Sequence, residues 1–342
     1  MRGAPQTKNS GRTPVPVLSK LLSAVALGLG LACSAAAASD YPSRPITVIV
    51  PYAAGGPSDL ALRTISDRLS KALGQPIVAE NVPGAGGMIG ASKAARAAPD
   101  GYTLLIHQTG LVIAPLLYPK QAIDVEKDLT AVGLVNTSYS FLVGSTNIPP
   151  KTFPELVKWM KDSGKPAIFA HPGIGTLAHL QAILFARDIG AEVTFIGYKG
   201  GGQAMSDIVG GHADLVWAAP TTSAELIQAK KIKGFAFGAP RRYAALPDIP
   251  TVGEEGYPNL NIPFWQALFA PAGTPKPIID KINAALRETL ADPKVQAAYV
   301  ERGVESFPTD QLSPQAANAF VAEEAKKWST VVREANIKPE AN

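Results

Sequence analysis

"ITVIVPYAAGGPSDLALRTISDRL", Ile46 to Leu69, contains one complete folding unit. Ile46 to Val50 is a short β-branched run, the signature of a buried strand. Gly55 and Gly56 punctuate the turn that follows. Ala61, Leu62, Ile65 and Leu69 then recur at helical spacing. A strand, a tight turn and an amphipathic helix open a parallel α/β sheet.

The same alternation continues along the chain. "PIVAEN" reads as a strand, "GGMIGASKAARAA" as a helix and "YTLLIH" as a third strand. A second set starts near "SFLVGS", Ser140 to Ser145. Strands "PAIFAH", "VTFIGY", "ADLVWAA" and "IKGFAFGA" alternate there with helices "TFPELVKWMKDSG", "TLAHLQAILFARDIG", Gly202 to Val209, and "TSAELIQAKK". The Pro-rich segment "APRRYAALPDIPTVGEEGYPNLNIP" has little periodicity and reads as a connector. Strand "FWQALFAP" and helices from Pro275 onward follow it. One strand is too few for a third sheet, so the C-terminal part is expected to complete the first lobe. The expected fold is α/β and two-lobed, the architecture of a bilobal binding protein, each lobe a mixed, mostly parallel sheet flanked by helices. Residues 39–140 and 252–342 form one expected lobe, and 141–251 the inserted one. Ligands of open parallel sheets sit beyond the carboxyl ends of the strands, which places the site in the cleft between lobes.

The chain has 342 residues, 46% hydrophobic and 18% charged, a globular composition. Its formal net charge of +4 comes from the N-terminus. Residues 1–38 hold Arg2, Lys8, Arg12 and Lys20 and no acid; without these four, 28 basic residues face 28 acidic ones. No nucleic-acid partner is expected of so balanced a chain. The basic leader precedes the apolar run "LLSAVALGLGLACSAAAAS", with Ala36 and Ala38 in A-x-A spacing. This is the form of an export signal cleaved near Ala38, which implies a soluble exported protein. Cys33, the single cysteine, falls inside the leader, so the mature chain has no disulfide and no thiolate chemistry.

Four turns carry the candidate site. In the first, Tyr52, Ala54, Gly55, Gly56, Pro57, Ser58 and Asp59 lead from strand to helix. The glycines let the backbone approach a ligand, Pro57 suits the first helical turn, and Ser58 or Asp59 would cap the helix. Helix N-termini favour anions. No Lys or Arg lies between Arg44 and Arg63, so the loop suits a carboxylate and not a polyphosphate. "HPGIGTLAHL", His171 to Leu180, repeats the logic in the other lobe with Gly175 and Thr176, whose hydroxyl could face the cleft. "GYKGGGQAMSD" adds Lys199, Gly200 and Gly201, and "WAAPTTSAEL" adds Thr221 and Thr222. His107 ends the third strand, facing the cleft beside Gln108, where it could donate to a carboxylate or stack on a ring.

Other chemistries lack their parts. "NVPGAGGMIGA" fails the dinucleotide fingerprint at Ile89 and follows the second strand rather than the first. His107, His171, His179 and His212 show no metal-ligand spacing. There is no G-x-S-x-G nucleophile elbow. No catalytic residue, cofactor or metal is expected. The alternative enzyme is an exported hydrolase or lyase using His107 with Ser58 or Asp59.

"YPSRPITVIVPYAAGGPSDLALR", "ENVPGAGGMIGASKAARAAPDGYTLL", "GIGTLAHL", "YKGGGQAMSDIVGGHADL", "RRYAALPDIPTVGEEGYP" and "APAGTPKPIIDKINAAL" resemble the Bug, or TctC-like, family of periplasmic solute receptors. The resemblance covers essentially the mature chain. It implies the two-lobed type II periplasmic binding protein fold, capture of a small mono- or dicarboxylate, aliphatic or aromatic, and delivery to the integral-membrane subunits of a tripartite tricarboxylate transporter or to a sensor kinase. A monomer is expected. It also implies ligand roles for Tyr52, Ala54 to Asp59, Gly175, Thr176, His179 and the "YKGGG" turn. His107-Gln108-Thr109, Gln203 and "AAPTTSA" depart from the family pattern at the expected cleft rim. Tyr52, His107, Trp217 and Phe264 would suit an aromatic acid, and each would equally serve as packing.

Overall fold

Strand β1 (Ile46–Val50) is almost wholly buried inside a six-stranded sheet. Its partners are β2 (Ile77–Asn81), β3 (Thr103–Gln108), β4 (Leu129–Ser138), β10 (Phe264–Pro271) and β11 (Val304–Glu305), in the order β11-β4-β10-β3-β1-β2. A five-stranded sheet holds β5 (Phe141–Gly144), β6 (Ala167–His171), β7 (Val193–Gly197), β8 (Leu215–Ala218) and β9 (Lys233–Phe237), in the order β7-β6-β8-β5-β9. This computed structural model describes residues 41–118, 123–334 and 337, with Met1 and Gly3. The expected cleavage point near Ala38 lies outside the described residues. The chain divides at Tyr41, and Pro42–Asn342 forms one compact unit.

Parallel pairing follows the helical crossovers. Helix α1 (Pro57–Leu73) joins β1 to β2, and α2 (Met88–Ala95) joins β2 to β3; α3 (Gly110–Leu117) follows β3. Helix α4 (Phe153–Asp162) precedes β6, α5 (Leu177–Ile189) joins β6 to β7, and α6 (Gly201–Gly210) joins β7 to β8. β1 pairs in parallel with β2 and β3, and β6 with β7 and β8. α7 (Pro220–Gln228) leads from β8 to β9.

β5 and β10, the strands that first enter a sheet from the other one, are antiparallel to their neighbours. A strand delivered across the cleft is not bound by the geometry of a β-helix-β crossover. β4 is a ten-residue strand that the sequence pattern did not mark. Its run "LTAVGLVNTS" is buried on both faces and so has no alternation to read.

The apolar core runs continuously from Ile49 and Leu105 to Phe169, Phe185 and Trp217. The C-terminal helices are α8 (Lys276–Leu290), α9 (Pro293–Glu301) and α10 (Pro314–Glu334). α10 docks on the first sheet through one buried carboxylate. Glu324 Oε2 accepts from Trp265 Nε1 at 2.9 Å and Trp328 Nε1 at 3.0 Å, while Oε1 accepts from Lys327 Nζ at 2.8 Å. Both indole N–H groups are thereby paired inside the core.

Candidate functional site

Three site helices begin with the same local device. The residue at the third helical position takes the backbone N–H four residues before it. Asp59 Oδ2 accepts from Gly55 N–H at 3.0 Å, His179 Nδ1 from Gly175 N–H at 3.4 Å, and Gln203 Oε1 from Lys199 N–H at 3.1 Å. Such reach-back bonds satisfy donors that a helix start leaves over. They also remove three amides from the expected cradle. The N-cap of α1 is Gly56, without a side-chain cap, and neither Ser58 nor Asp59 takes that place.

Asp59 is the fixed point of the first turn. It is 1% exposed and also accepts from Arg63 Nε at 2.7 Å and Asn81 Nδ2 at 3.3 Å. Burial opposes its charge, but the bonds from Arg63, Gly55 and Asn81 outweigh burial and hold its carboxyl below the usual value. Gly55 has φ +80°, the left-handed region where glycine is favoured.

The turns of the two sheets touch directly. Ala53 N–H donates to Lys199 O at 3.1 Å. A Cβ added to Gly200 would lie 3.2 Å from both N and Cβ of Ala53, and one on Gly175 would lie 2.6 Å from Ala114 Cα. The glycines at 175 and 200 therefore serve close approach of one lobe to the other.

Between these turns lies a cavity of about 50 Å³. That is room for roughly three to five water positions, or about 100–150 Å³ of displaced liquid, the size of a small acid. Pro57 and Ser58 reach it from the start of α1, Thr176 and Ala178 from α5, Gly201 from α6, and Ala219 and Thr222 from α7. Four helix N-termini thus converge on one small space. Each carries roughly +0.5 of an elementary charge. Among the described residues, no formally charged side chain lines the cavity. Ser58 and Ala178 stand second in their helices, where the N–H has no intrahelical carbonyl to bond.

Of the expected site residues, Tyr52, Pro57, Ser58, Gln108, Thr176, Gly201 and Thr222 line this cavity. Tyr52 Oη is engaged: it donates to Gly86 O at 3.0 Å and accepts from Gln108 Nε2 at 2.8 Å. Burial pushes its pKa up, against the pull of the Gln108 hydrogen bond. Thr176 caps α5, accepting from His179 N–H at 3.4 Å, and donates to Gly173 O at 2.7 Å, so its hydroxyl proton is not directed at the cleft as expected. Thr222 likewise donates to Ala219 O at 3.0 Å.

Other expected residues stand elsewhere. His107 does not face the cleft. It is fully buried behind Tyr52, ring centroids 5.7 Å apart, and its Nδ1 accepts from Gln108 N–H at 2.8 Å. Burial lowers its pKa to about 4, which keeps it neutral at pH 7. His179 packs against His171, centroids 4.3 Å apart, with Phe195 at the edge. Burial, helped by the neighbouring His171, lowers the pKa of His179 to about 3. Ala54, Gly55 and Gly56 lie against Gly201 and Gly202. Lys199 lines a neighbouring cavity of about 300 Å³ with Gly86 and Gly173. Gly175 and Gly200 make the interlobe approach described above, and Thr221 is not in the wall. Sequence reasoning missed Ser140, Pro172, Ala178, Val216, Ala218 and Ala219 and gave Trp217 and Phe264 only as aromatic candidates. Small and apolar lining residues carry no signal that distinguishes them from core.

Known proteins share this sequence pattern and fold. The sequence model of the tripartite tricarboxylate transporter family receptor matches residues 61–337. A protein of Agrobacterium vitis encoded in the ttuE-ttuC' intergenic region is 37% identical over 301 residues, covering 88% of this chain and 87% of the relative. The structure of the periplasmic binding protein BugD superposes with a TM-score of 0.85 at 34% identity, covering 88% of this chain and all of that one. MatC from Rhodopseudomonas palustris, solved with bound malate, gives 0.82 at 34% identity, covering 85% of this chain and all of that one.

Proposed function

The chain belongs to the family of tripartite tricarboxylate transporter receptors, and from that premise we propose that it captures a small carboxylate between its lobes and delivers it to the membrane subunits of such a transporter. Receptors of this family are periplasmic solute-binding proteins.

The observation that carries the reading is the convergence of α1, α5, α6 and α7 on a cavity without charged side chains. Backbone amides and helix dipoles favour an anion. A fixed cation would favour more highly charged anions. The size of the cavity suits an acid on the scale of the malate bound by MatC. Proposed contacts are Ser58 and the amides of the first turns of these helices, with Tyr52, Gln108, Thr176, Gly201 and Thr222 as the wall. The proposed lobes are 39–140 with 252–342, and 141–251, closing on the ligand as hinged domains do. A monomer exported to the periplasm completes the proposal.

The hydrolase or lyase reading loses its base, because His107 does not line the cavity and Asp59 is committed to three donors. A thermal-shift and calorimetry screen over mono- and dicarboxylates tests the receptor reading. At least one acid should raise the Tm with 1:1 stoichiometry, as binding to the folded state requires. No stabilisation by any acid would overturn it.

A further inference from the structure

Trp217 on β8 lines the cavity, is 2% exposed, and its indole Nε1–H has no partner among the described residues. An indole N–H can only donate, and buried donors are rarely left unpaired. Trp265 and Trp328, equally buried, both give their N–H to Glu324. Trp217 is the exception among these three.

Gln181 is a second exception. It is fully buried, and neither Oε1 nor Nε2 has a partner among the described residues. It stands on α5 three residues after Ala178, which lines the cavity, and four before Phe185, whose ring meets Trp217 edge-on at 6.3 Å. Residues at those spacings share one helix face. Gln181 therefore shares the face of α5 that carries Ala178 at the cavity and Phe185 against the Trp217 ring.

We propose that Trp217 and Gln181 form a second polar subsite of the cavity. It takes an uncharged oxygen, as hydroxyl, carbonyl or carboxamide, carried by the bound acid in addition to its carboxylate. The inference rests on the carboxylate reading above and names the class of acid. The anion belongs at the helix N-termini. Ala178, Val216 and Phe264 make part of the cavity wall apolar, and among the described residues no charged side chain lines it. A second full charge buried there would meet only neutral donors, which is costly. A hydroxyl or amide also offers a proton to Gln181 Oε1, which a carboxylate cannot.

Isothermal titration with matched four-, five- and six-carbon acids tests this. Each set holds the alkanoate, its hydroxy acid, its half-amide and the dicarboxylate. The hydroxy acid or half-amide should bind wild-type protein at least about tenfold more tightly than the parent alkanoate, and more tightly than the dicarboxylate. A gap of that size is the scale of one hydrogen bond. Trp217→Phe keeps a ring and removes the N–H; it should bring the ratio over the alkanoate to within about threefold, and Gln181→Leu should do the same. The ratio is taken within one variant, so any general loss of fold or closure cancels. A ratio unchanged in both variants, equal wild-type binding of the plain alkanoate, or a preference for the dicarboxylate overturns the subsite. If no acid binds wild-type protein at all, the receptor reading itself falls.

Discussion

The backbone N–H of Ala53 donates to the carbonyl oxygen of Lys199 at 3.1 Å, across the cleft between the two sheets. The first strand-to-helix turn and the "YKGGG" turn therefore hold each other as well as the cavity wall. The contact exists because Gly200 has no side chain where Ala53 arrives. The turn reads as a latch as much as a cradle.

Gly200→Val should block that approach. The backbone at 200 is extended, with φ 165°, so valine adds no backbone strain. Its Cβ would meet Ala53 at 3.2 Å, and its methyl groups would extend further. Affinity for the best acid should fall by tenfold or more, about 1.4 kcal/mol, with the Tm of the ligand-free protein little changed. Small-angle scattering should no longer show compaction on adding ligand. Retained compaction would show that the lobes close another way.

The neighbouring glycines of the first turn should differ. Gly55→Ala forces a Cβ into a left-handed residue and should cost about 1–2 kcal/mol of stability. Gly56→Ala has φ −82°, and its Cβ would sit 3.5 Å from Ala53 O, an ordinary contact. Urea denaturation should place Gly56→Ala near wild type, within about 0.5 kcal/mol. Equal loss in both would refute the assignment of positive φ as the reason for glycine at 55.

Acid should weaken the fold through three buried histidines. Burial lowers the pKa of His107 and His171 to about 4, and of His179 to about 3. Their unfolded values lie near 6.5. Below about pH 6.5 the unfolded chain binds protons that the folded one does not, so stability falls as pH drops towards 4. The ceiling is about 1.4 kcal/mol per pH unit per histidine. Denaturant midpoints should decline between about pH 7 and 4.5. His179→Gln keeps an acceptor for Gly175 N–H and should flatten the slope. A slope unchanged by that substitution would remove His179 from the account.

Glu324→Leu should destabilise the protein by on the order of 3 kcal/mol, because two buried indole N–H groups lose their acceptor. Glu324→Gln retains a carbonyl oxygen and should cost less. Chemical denaturation followed by tryptophan fluorescence separates the two. Equal losses would mean that packing of the side chain matters and acceptance does not.

The α/β plan was legible because it is written in local periods. "ITVIVPYAAGGPSDLALR" names its own strand, turn and helix. β4 was not legible, since a strand buried on both faces has no period of two. His107 failed for a related reason. Adjacent strand residues point to opposite faces, and the sequence does not say which face meets the cleft. Gln108 took the cavity and His107 the interior. Thr176 was legible as an N-cap, yet the destination of its hydroxyl proton was not.

The sequence by itself determined that a helix follows the first strand, that Gly55 can turn the chain, and that no fixed cation sits in the first loop. These follow from residue type and spacing over a few positions. Only the tertiary structure decided which donors remain for a ligand. Ala53 N–H goes to Lys199, 146 positions away along the chain; Trp265 N–H goes to Glu324, while Trp217 N–H goes to no group among the described residues. A buried hydrogen bond depends on which distant atoms packing brings within reach, and no local pattern records that distance.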